Sequence, residues 1–323
     1  MSNVTTELFD SGNTDLAGLG GTLAGVFIGL VVIFLVGHLF TRMSGSSSET
    51  SSKYNKNKSK NFNNNKYRTF VGVEIECMKT ESNIKGSVLN KFNMYEGDDA
   101  SIRGGDGSGV EYKSSPTQGD RLLKTIKDFS EELNKTKHKT NKSCGLHIHI
   151  ETAPDLELMK KLYCFYSKYE GLFFAMLPES RQNNDYCKKF KRLDKFNYSD
   201  ILKLKSIADF KTLYYEKESF YPEIHHGHKK RYCWVNFHSI FYRGTLEIRG
   251  HSGTISGEKI NNWIMIHLMV RDYLEKNTIK NISKMDVSKK RFLGIFTKDL
   301  QDYIKERWKK FPETSEENFK EYK

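Results

Sequence analysis

Residues Cys144-Gly145-Leu146-His147-Ile148-His149-Ile150 alternate apolar side chains with histidines behind a small Cys-Gly pair. Side chains in a strand repeat every two residues, so His147 and His149 share one face. Leu146, Ile148 and Ile150 take the other, against a core. Two imidazoles side by side on a rigid strand can hold a metal ion or a phosphate. Two half-buried histidines with local partners would read the same in isolation. Two further runs repeat the design, however. Phe70-Val71-Gly72-Val73-Glu74-Ile75-Glu76 puts Glu74 and Glu76 on one face, and Gly244-Thr245-Leu246-Glu247-Ile248-Arg249 does the same for Thr245, Glu247 and Arg249. Polar alternation is common where an antiparallel sheet faces water. Three runs bearing Glu/Glu, His/His and Glu/Arg go beyond that. Convergent carboxylates and imidazole suit divalent cations, and an interleaved arginine suits a phosphate or carboxylate.

The elements that must position these groups follow from spacing. Val110–Lys113 reads as a short strand that brings in Glu111. Residues 96–109, rich in Gly and Asp, fit neither a Walker loop nor a dinucleotide fingerprint; they are expected to form a flexible loop near the site, over nucleotide. Leu122, Leu123, Ile126, Phe129 and Leu133 recur at helical spacing, with Asp120 as the cap. A core helix is expected from Pro154-Asp155 to Leu177, ended by Pro178. Further helices are expected over 199–213, capped by Ser199, over Glu258 to Tyr273, and over 287–311, a basic amphipathic segment covering the sheet. Strands and helices interleave without regular βαβ spacing, so the expectation is α+β with an antiparallel sheet and packed helices.

The chain before residue 69 is different in kind. Residues 1–16 form a short acidic tail, and 17–40 contain no Asp, Glu, Lys or Arg. Those 24 residues would span about 36 Å as a helix, enough to cross a bilayer with some tilt. An uncleaved transmembrane anchor is expected, since a signal peptide has a basic start. Residues 41–68, rich in Ser, Asn and Lys, form a flexible basic tether that cannot bury a core. Its Arg42, Lys53, Lys56, Lys58, Lys60, Lys66 and Arg68 place that side in the cytoplasm and the N-terminus outside. Membrane lipid is thus a partner through the anchor. Gly21, Gly25 and Gly29 form a small-residue stripe that would let two such helices pack as a homodimer. Residues 69–323 are enough for one sizeable mixed domain, which carries all three chemistry-bearing runs.

Lys and Arg number 52 against 40 Asp and Glu, a net charge of +12. Such a balance attracts nucleic acid or anionic membranes. Part of the excess lies in the tether, and much of the rest is interspersed with acids, as in Lys309-Lys310 before Glu313, Glu316 and Glu317. No zinc-finger spacing or RNA-binding aromatic signature occurs, so nucleic acid is not an expected partner. The HExxH helix of one class of metal hydrolases is missing as well. Five cysteines without a CxxC pair fit a reducing compartment. His225-His226-Gly227-His228 lies beside Lys229, Lys230 and Arg231 and reads as a solvated loop.

The motifs also occur in a recognisable order. Gly72-Val73-Glu74-Ile75-Glu76 precedes Asp99-Ala100-Ser101, Gly109-Val110-Glu111 and Ser115-Pro116. Then come Cys144 to His149, Arg181 to Cys187, Arg231-Tyr232 with Asn236, and Thr245 to Arg249 with His251 and Gly253-Thr254. Over residues 69–275 this set resembles the putative amidoligase family, within the carboxylate–amine ligase superfamily that includes glutamine synthetase and glutamate–cysteine ligase. The resemblance implies a glutamine-synthetase-like catalytic sheet, ATP with Mg2+ or Mn2+, and amide formation through an acyl phosphate between a carboxylate and an amine of unknown identity. It implies that Glu74, Glu76, Glu111 and Glu247 ligate the metal ions and that His147 completes a second metal position. His149 would face nucleotide phosphate, with Asn236 in support. Arg249 would hold the acyl phosphate or the substrate carboxylate, and Arg181 a further phosphate. Two places depart from the family pattern: Ile150-Glu151 stands where many relatives have Asp, and Thr245 where glutamine synthetases have Arg. A missing phosphate-side cation would then come from Arg181 or Arg231. The alternative reading is a membrane-tethered basic binding protein on an inactive ligase scaffold.

Overall fold

Val71, Val73, Ile75 and Cys77 are fully or almost fully buried and alternate with Gly72, Glu74 and Glu76. They form strand β1 (Val71–Met78) of the computed structural model, which describes residues 67–78, 80, 84–103, 109–216, 227–320 and 322. The other strands are β2 (Met94–Asp98), β3 (Gly109–Ser114), β4 (Gly145–Glu151), β5 (Val235–Asn236) and β6 (Thr245–Ser252). They make one antiparallel six-stranded sheet in the order β2-β3-β1-β4-β6-β5. The fold is therefore α+β, as expected. The expected strands match β1, β3, β4 and β6, whereas β2 and β5 were not foreseen. Glu96–Asp98, expected in a loop, belong to β2, and residues 104–108 lie outside the described part. So do the tail 1–16, the expected span 17–40 with Gly21, Gly25 and Gly29, and the tether up to residue 66. Among the described residues no helix is long and apolar enough to cross a membrane.

Helices cover the apolar face. In α1 (Gly119–Lys135), Leu122, Ile126, Phe129 and Leu133 are buried on one stripe. Its N-cap is Gln118, without a side-chain bond, and Asp120 sits inside the first turn. There the carboxylate favours the helix dipole instead of capping it. In α2 (Leu156–Phe174) the Asp155 carboxylate accepts from Leu158 N at 2.7 Å, a true cap. The long α3 (Gly257–Glu275) starts behind Ser256. Burying each large side chain of this core contributes about 1.5–3 kcal/mol.

Two expected helices are broken. Residues 199–213 divide into Tyr198–Lys203 and Ile207–Tyr214, each opened by a capping box, Asn197 with Asp200 and Ser206 with Asp209. The second box begins a new helix where periodicity alone would run on. Residues 287–311 divide at Gly294 into Lys289–Leu293 and α4 (Lys298–Lys310). That last helix does not cover the sheet. It packs on α3 and on the C-terminal helix Pro312–Phe319, and bonds from Trp308 Nε1 to Leu172 O at 3.0 Å and from Arg307 Nε to Met176 O at 3.1 Å tie it to the end of α2 and the turn that follows.

The same α2 carries a buried carboxylate. Glu170 Oε1 accepts from Phe190 N at 2.7 Å and Trp234 Nε1 at 2.8 Å. Burial, the largest influence, pushes its pKa from 4.5 up to about 7 despite these bonds. The folded chain thus keeps a proton that the unfolded chain has lost. The resulting stability is whole below pH 4.5 and is lost as pH rises to about 7, roughly 3 kcal/mol in all. Glu170→Gln keeps an acceptor and removes the titration. Urea unfolding at pH 5 and pH 8 is expected to show a smaller difference in this variant than in the wild type; an unchanged difference would refute the assignment.

Candidate active site

The register assembles the polar faces into three cross-strand rows. Glu111 on β3 stands opposite Glu76 on β1. Lys113, Glu74 and His147 form the next row, and His149, Glu247 and Asn236 the third. Two like charges directly opposite are unfavourable by themselves, so the pairing of Glu76 with Glu111 needs compensation. Part comes from Lys113, whose Nζ is 2.6 Å from Glu111 Oε2, and part from Gly145 N, which donates to Glu76 Oε2 at 2.5 Å. The glycine is needed there, because a Cβ would meet His147 Nε2 at 2.9 Å.

Glu74 is the hub. His147 Nδ1 lies 3.2 Å from Glu74 Oε2, and His149 Nε2 lies 3.3 Å from Glu74 Oε1. His147 Nε2 also reaches Glu76 Oε1 at 3.4 Å, and His149 Nε2 approaches Glu247 Oε1 at 3.7 Å. Asn236 Nδ2 donates to Glu247 Oε2 at 2.6 Å, and Arg249 Nη1 donates to Glu247 Oε1. Burial opposes ionisation of Glu74, but the charge of His149 and a hydrogen bond from His147 hold it well below the ordinary range. Glu247 is likewise held down to about 2, where Arg249 and His149 outweigh burial. Glu111 goes the other way. Burial and the charge of Glu74 push it up to about 8 despite Lys113.

His149 is oriented from behind. Its Nδ1 bonds Thr245 Oγ1 at 3.0 Å, and that hydroxyl bonds Ser239 Oγ at 2.9 Å. Its Nε2 is buried without a hydrogen bond. A ring fixed on one nitrogen with the other aimed at two carboxylates is the arrangement of a metal-ligating histidine. Three groups can each offer three ligand atoms within 4.8 Å of one another: Glu74, His149 and Glu247; Glu74, Glu111 and His147; and Glu76, Asp99 and Glu111. Mostly carboxylate oxygen with imidazole suits Mg2+ or Mn2+. The described residues therefore fit divalent cations. Thr245→Val is expected to weaken Mn2+ affinity by about 10–100-fold, the usual effect of removing the group that orients a ligand. Titration calorimetry with Mn2+ checks this, and unchanged affinity would deny Thr245 that role.

These groups line a cleft of about 220 Å³. The structure brings Glu74, Glu111, His147, His149, Asn236, Glu247 and Arg249 into its wall, and Glu76 stands directly behind in the first row. Arg181 is not there. It is 2% exposed, its Nε donates to Gly250 O at 3.1 Å, and its Nη2 donates to Arg249 O at 2.7 Å. The reason is a bulge. β6 shifts register between Leu146 and Ile148 of β4, so Arg249 and Gly250 both stand across from His147. A bulge interrupts the ladder, and Arg181 supplies donors to its carbonyls. The same bulge turns His251 to the helix side, where its ring lies 5.0 Å from Trp263 and burial lowers its pKa to about 3.

The cleft also holds residues that alternation did not single out. Asp98, Asp99, Lys113, His238, Ser239, Tyr242 and Arg243 line it, together with Arg231. Lys113 was within reach of sequence reasoning, two residues after Glu111 on one strand face. Arg243 was not: it ends the short helix His238–Arg243, and Gly244, at φ 71°, turns the chain into β6. Its Nη1 lies 3.7 Å from Glu74 Oε1. His228 accepts from Lys230 N at 3.1 Å to cap the turn Lys229–Tyr232, while His225 and His226 lie outside the described residues. All five cysteines are free and buried.

A model of the family described as "Putative amidoligase enzyme" matches residues 47–270 of this chain. Searches among curated proteins and among solved structures gave no match.

Proposed function

Since the chain belongs to the amidoligase family, we propose that it is an ATP-dependent carboxylate–amine ligase, anchored in a membrane by residues 17–40 with residues 69–323 in the cytoplasm. The sheet is read as the glutamine-synthetase-like type. The observation that carries the reading is the convergence of Glu74, His147, His149 and Glu247 from three strands around a buried, unbonded His149 Nε2.

Joining a carboxylate to an amine in water is uphill unless the carboxylate is activated. In the proposed reaction a carboxylate oxygen attacks the terminal phosphorus of ATP and ADP leaves. The amine nitrogen then attacks the acyl carbon, phosphate leaves, and the amine gives up a proton. Catalysis of such transfer is mostly placement and charge neutralisation. Bound Mg2+ or Mn2+ would supply the positive charge between phosphate groups. Glu74, Glu76, Glu111, His147 and Glu247 would hold those ions, and Asn236 keeps Glu247 oriented. His149, with Nδ1 held by Thr245, has only Nε2 left to offer, and its place beside Glu74 and Glu247 favours a metal ion over the phosphate that the resemblance implied. Arg249 holds the acyl phosphate or the substrate carboxylate. Arg231 and Arg243 stand in for the phosphate-side cation that Thr245 replaces, the place once open to Arg181.

The test is phosphate release from ATP by the purified protein with Mg2+ or Mn2+ and a pool of amino acids and amines. Metal-dependent release that is lost in Glu74→Gln supports acyl-phosphate chemistry. A protein that binds no nucleotide overturns it in favour of a binding protein on a ligase scaffold.

A further inference from the structure

Tyr186 stands beside the cleft and takes no part in the chemistry above. Among the described large hydrophobic side chains, Tyr95 and Tyr186 are the exposed ones, at 62% and 44%. Tyr95 lies on the edge strand β2. Tyr186 instead meets Tyr232 edge to face, with ring centres 5.7 Å apart and planes at 77°.

The pair is held rigidly. Lys188 N donates to Tyr232 O at 2.7 Å, and Trp234 N donates to Lys188 O at 3.0 Å, so the two segments are tied by backbone bonds. The next residue along each segment, Cys187 and Cys233, is buried. Both tyrosines therefore stand on the outer side of a fixed bridge. Each is also joined to a cleft arginine. Tyr186 O accepts from Arg249 Nε at 3.1 Å, and the Arg231 guanidinium lies 5.4 Å from the centre of the Tyr232 ring. Arg231 and Arg249 both line the cleft.

An exposed aromatic ring, tied through its own backbone to one cleft arginine and through its partner ring to another, matches a ligand with a flat π-system at one end and anionic groups at the other. A nucleoside triphosphate has that form. We propose that Tyr186, backed by Tyr232, is the platform on which the nucleobase of the triphosphate stacks while its phosphates enter the cleft. This rests on the nucleotide reading given above. Stacking on an aromatic ring needs the ring and not the hydroxyl, and it tolerates any base.

The experiment titrates ATP and, separately, inorganic tripolyphosphate into the full-length protein with Mn2+. Wild type, Tyr186→Ala and Tyr186→Phe are compared. Tyr186→Ala is expected to weaken ATP binding about tenfold or more, the usual size of one base–aromatic stack, and to leave tripolyphosphate binding unchanged. Tyr186→Phe is expected to restore ATP affinity. Equal ATP affinity in wild type and Tyr186→Ala overturns the stacking platform and leaves the ligase reading standing. So does a wild type that binds ATP no more tightly than tripolyphosphate. Binding of neither ligand by the wild type overturns the ligase reading itself, and the platform with it.

Discussion

Glu74→Gln is expected to abolish metal-dependent ATP turnover while the fold persists. Glu74 is shared by two of the three candidate ligand groups and faces both histidines of β4. Glutamine preserves shape but gives up the charge that His149 balances. Loss of a ligand-orienting group alone typically costs 10–100-fold, so loss of the shared ligand should cost at least about a hundredfold in metal affinity. Thermal unfolding reads the same loss without any substrate. A cation at a hundred times its dissociation constant stabilises the wild type by about 2.7 kcal/mol. Mn2+ should therefore raise the wild-type midpoint and leave that of Glu74→Gln in place. Without metal the variant should unfold somewhat earlier than the wild type, because the ionised carboxylate that His149 and His147 hold well below the ordinary range is gone, with relief of the repulsion from Glu111 offsetting part of that loss. A variant that keeps its Mn2+-dependent shift would remove Glu74 from the ligand set.

The second large effect lies outside the cleft. Lys230 is completely buried, with Nζ 2.7 Å from Asp194 Oδ1 and 3.1 Å from Glu216 Oε1. Tyr163 OH donates to Asp194 Oδ2 at 2.6 Å, and Lys230 Nζ lies over the rings of Phe196 and Tyr214. Asp194→Ala strips the main counter-charge from a lysine that has no route to water. Breaking a buried pair from one side costs about 3–5 kcal/mol, and the remaining Glu216 argues for the lower end. Asp194→Asn with Lys230→Met removes both charges and keeps an acceptor for Tyr163. This double variant should recover most of the loss, because burying the ion pair carried its own desolvation cost. Urea unfolding of the three proteins decides the matter. An Asp194→Ala protein within about 0.5 kcal/mol of wild type would show that Lys230 is not held by this pair. Lys230 also anchors the turn Lys229–Tyr232, which presents Arg231 to the cleft and Tyr232 to Tyr186. Nucleotide affinity should consequently fall in Asp194→Ala even where the protein remains folded.

The misread features have different causes. The break between Tyr198–Lys203 and Ile207–Tyr214 had a local signal, the Ser206–Asp209 capping box, overridden by apolar periodicity that continues through it. Arg181 had no such signal. Its neighbours in sequence suggest a cation near the site, yet its partners are carbonyls about 70 residues away, exposed by a bulge in β6. Asp98 and Asp99 were read as a loop because Gly and Asp favour turns, whereas pairing of β2 with β3 makes the first of them part of a strand.

What the sequence by itself determined is which side chains share a strand face. That follows from the two-residue period, needs no partner, and put Glu74 with Glu76, His147 with His149, and Glu247 with Arg249. Their chemistry, hard oxygen with imidazole and guanidinium, follows from residue type alone. Only the tertiary structure decided that β1 lies between β3 and β4, which makes Glu74 the hub, and that β5 brings Asn236 onto Glu247. It also decided that a bulge sends Arg249 to the cleft and His251 to the helices. Strand neighbours and bulges are selected by burial summed over segments far apart in sequence, as Gly145 is from its β6 partner Ser252, and no local pattern encodes that sum.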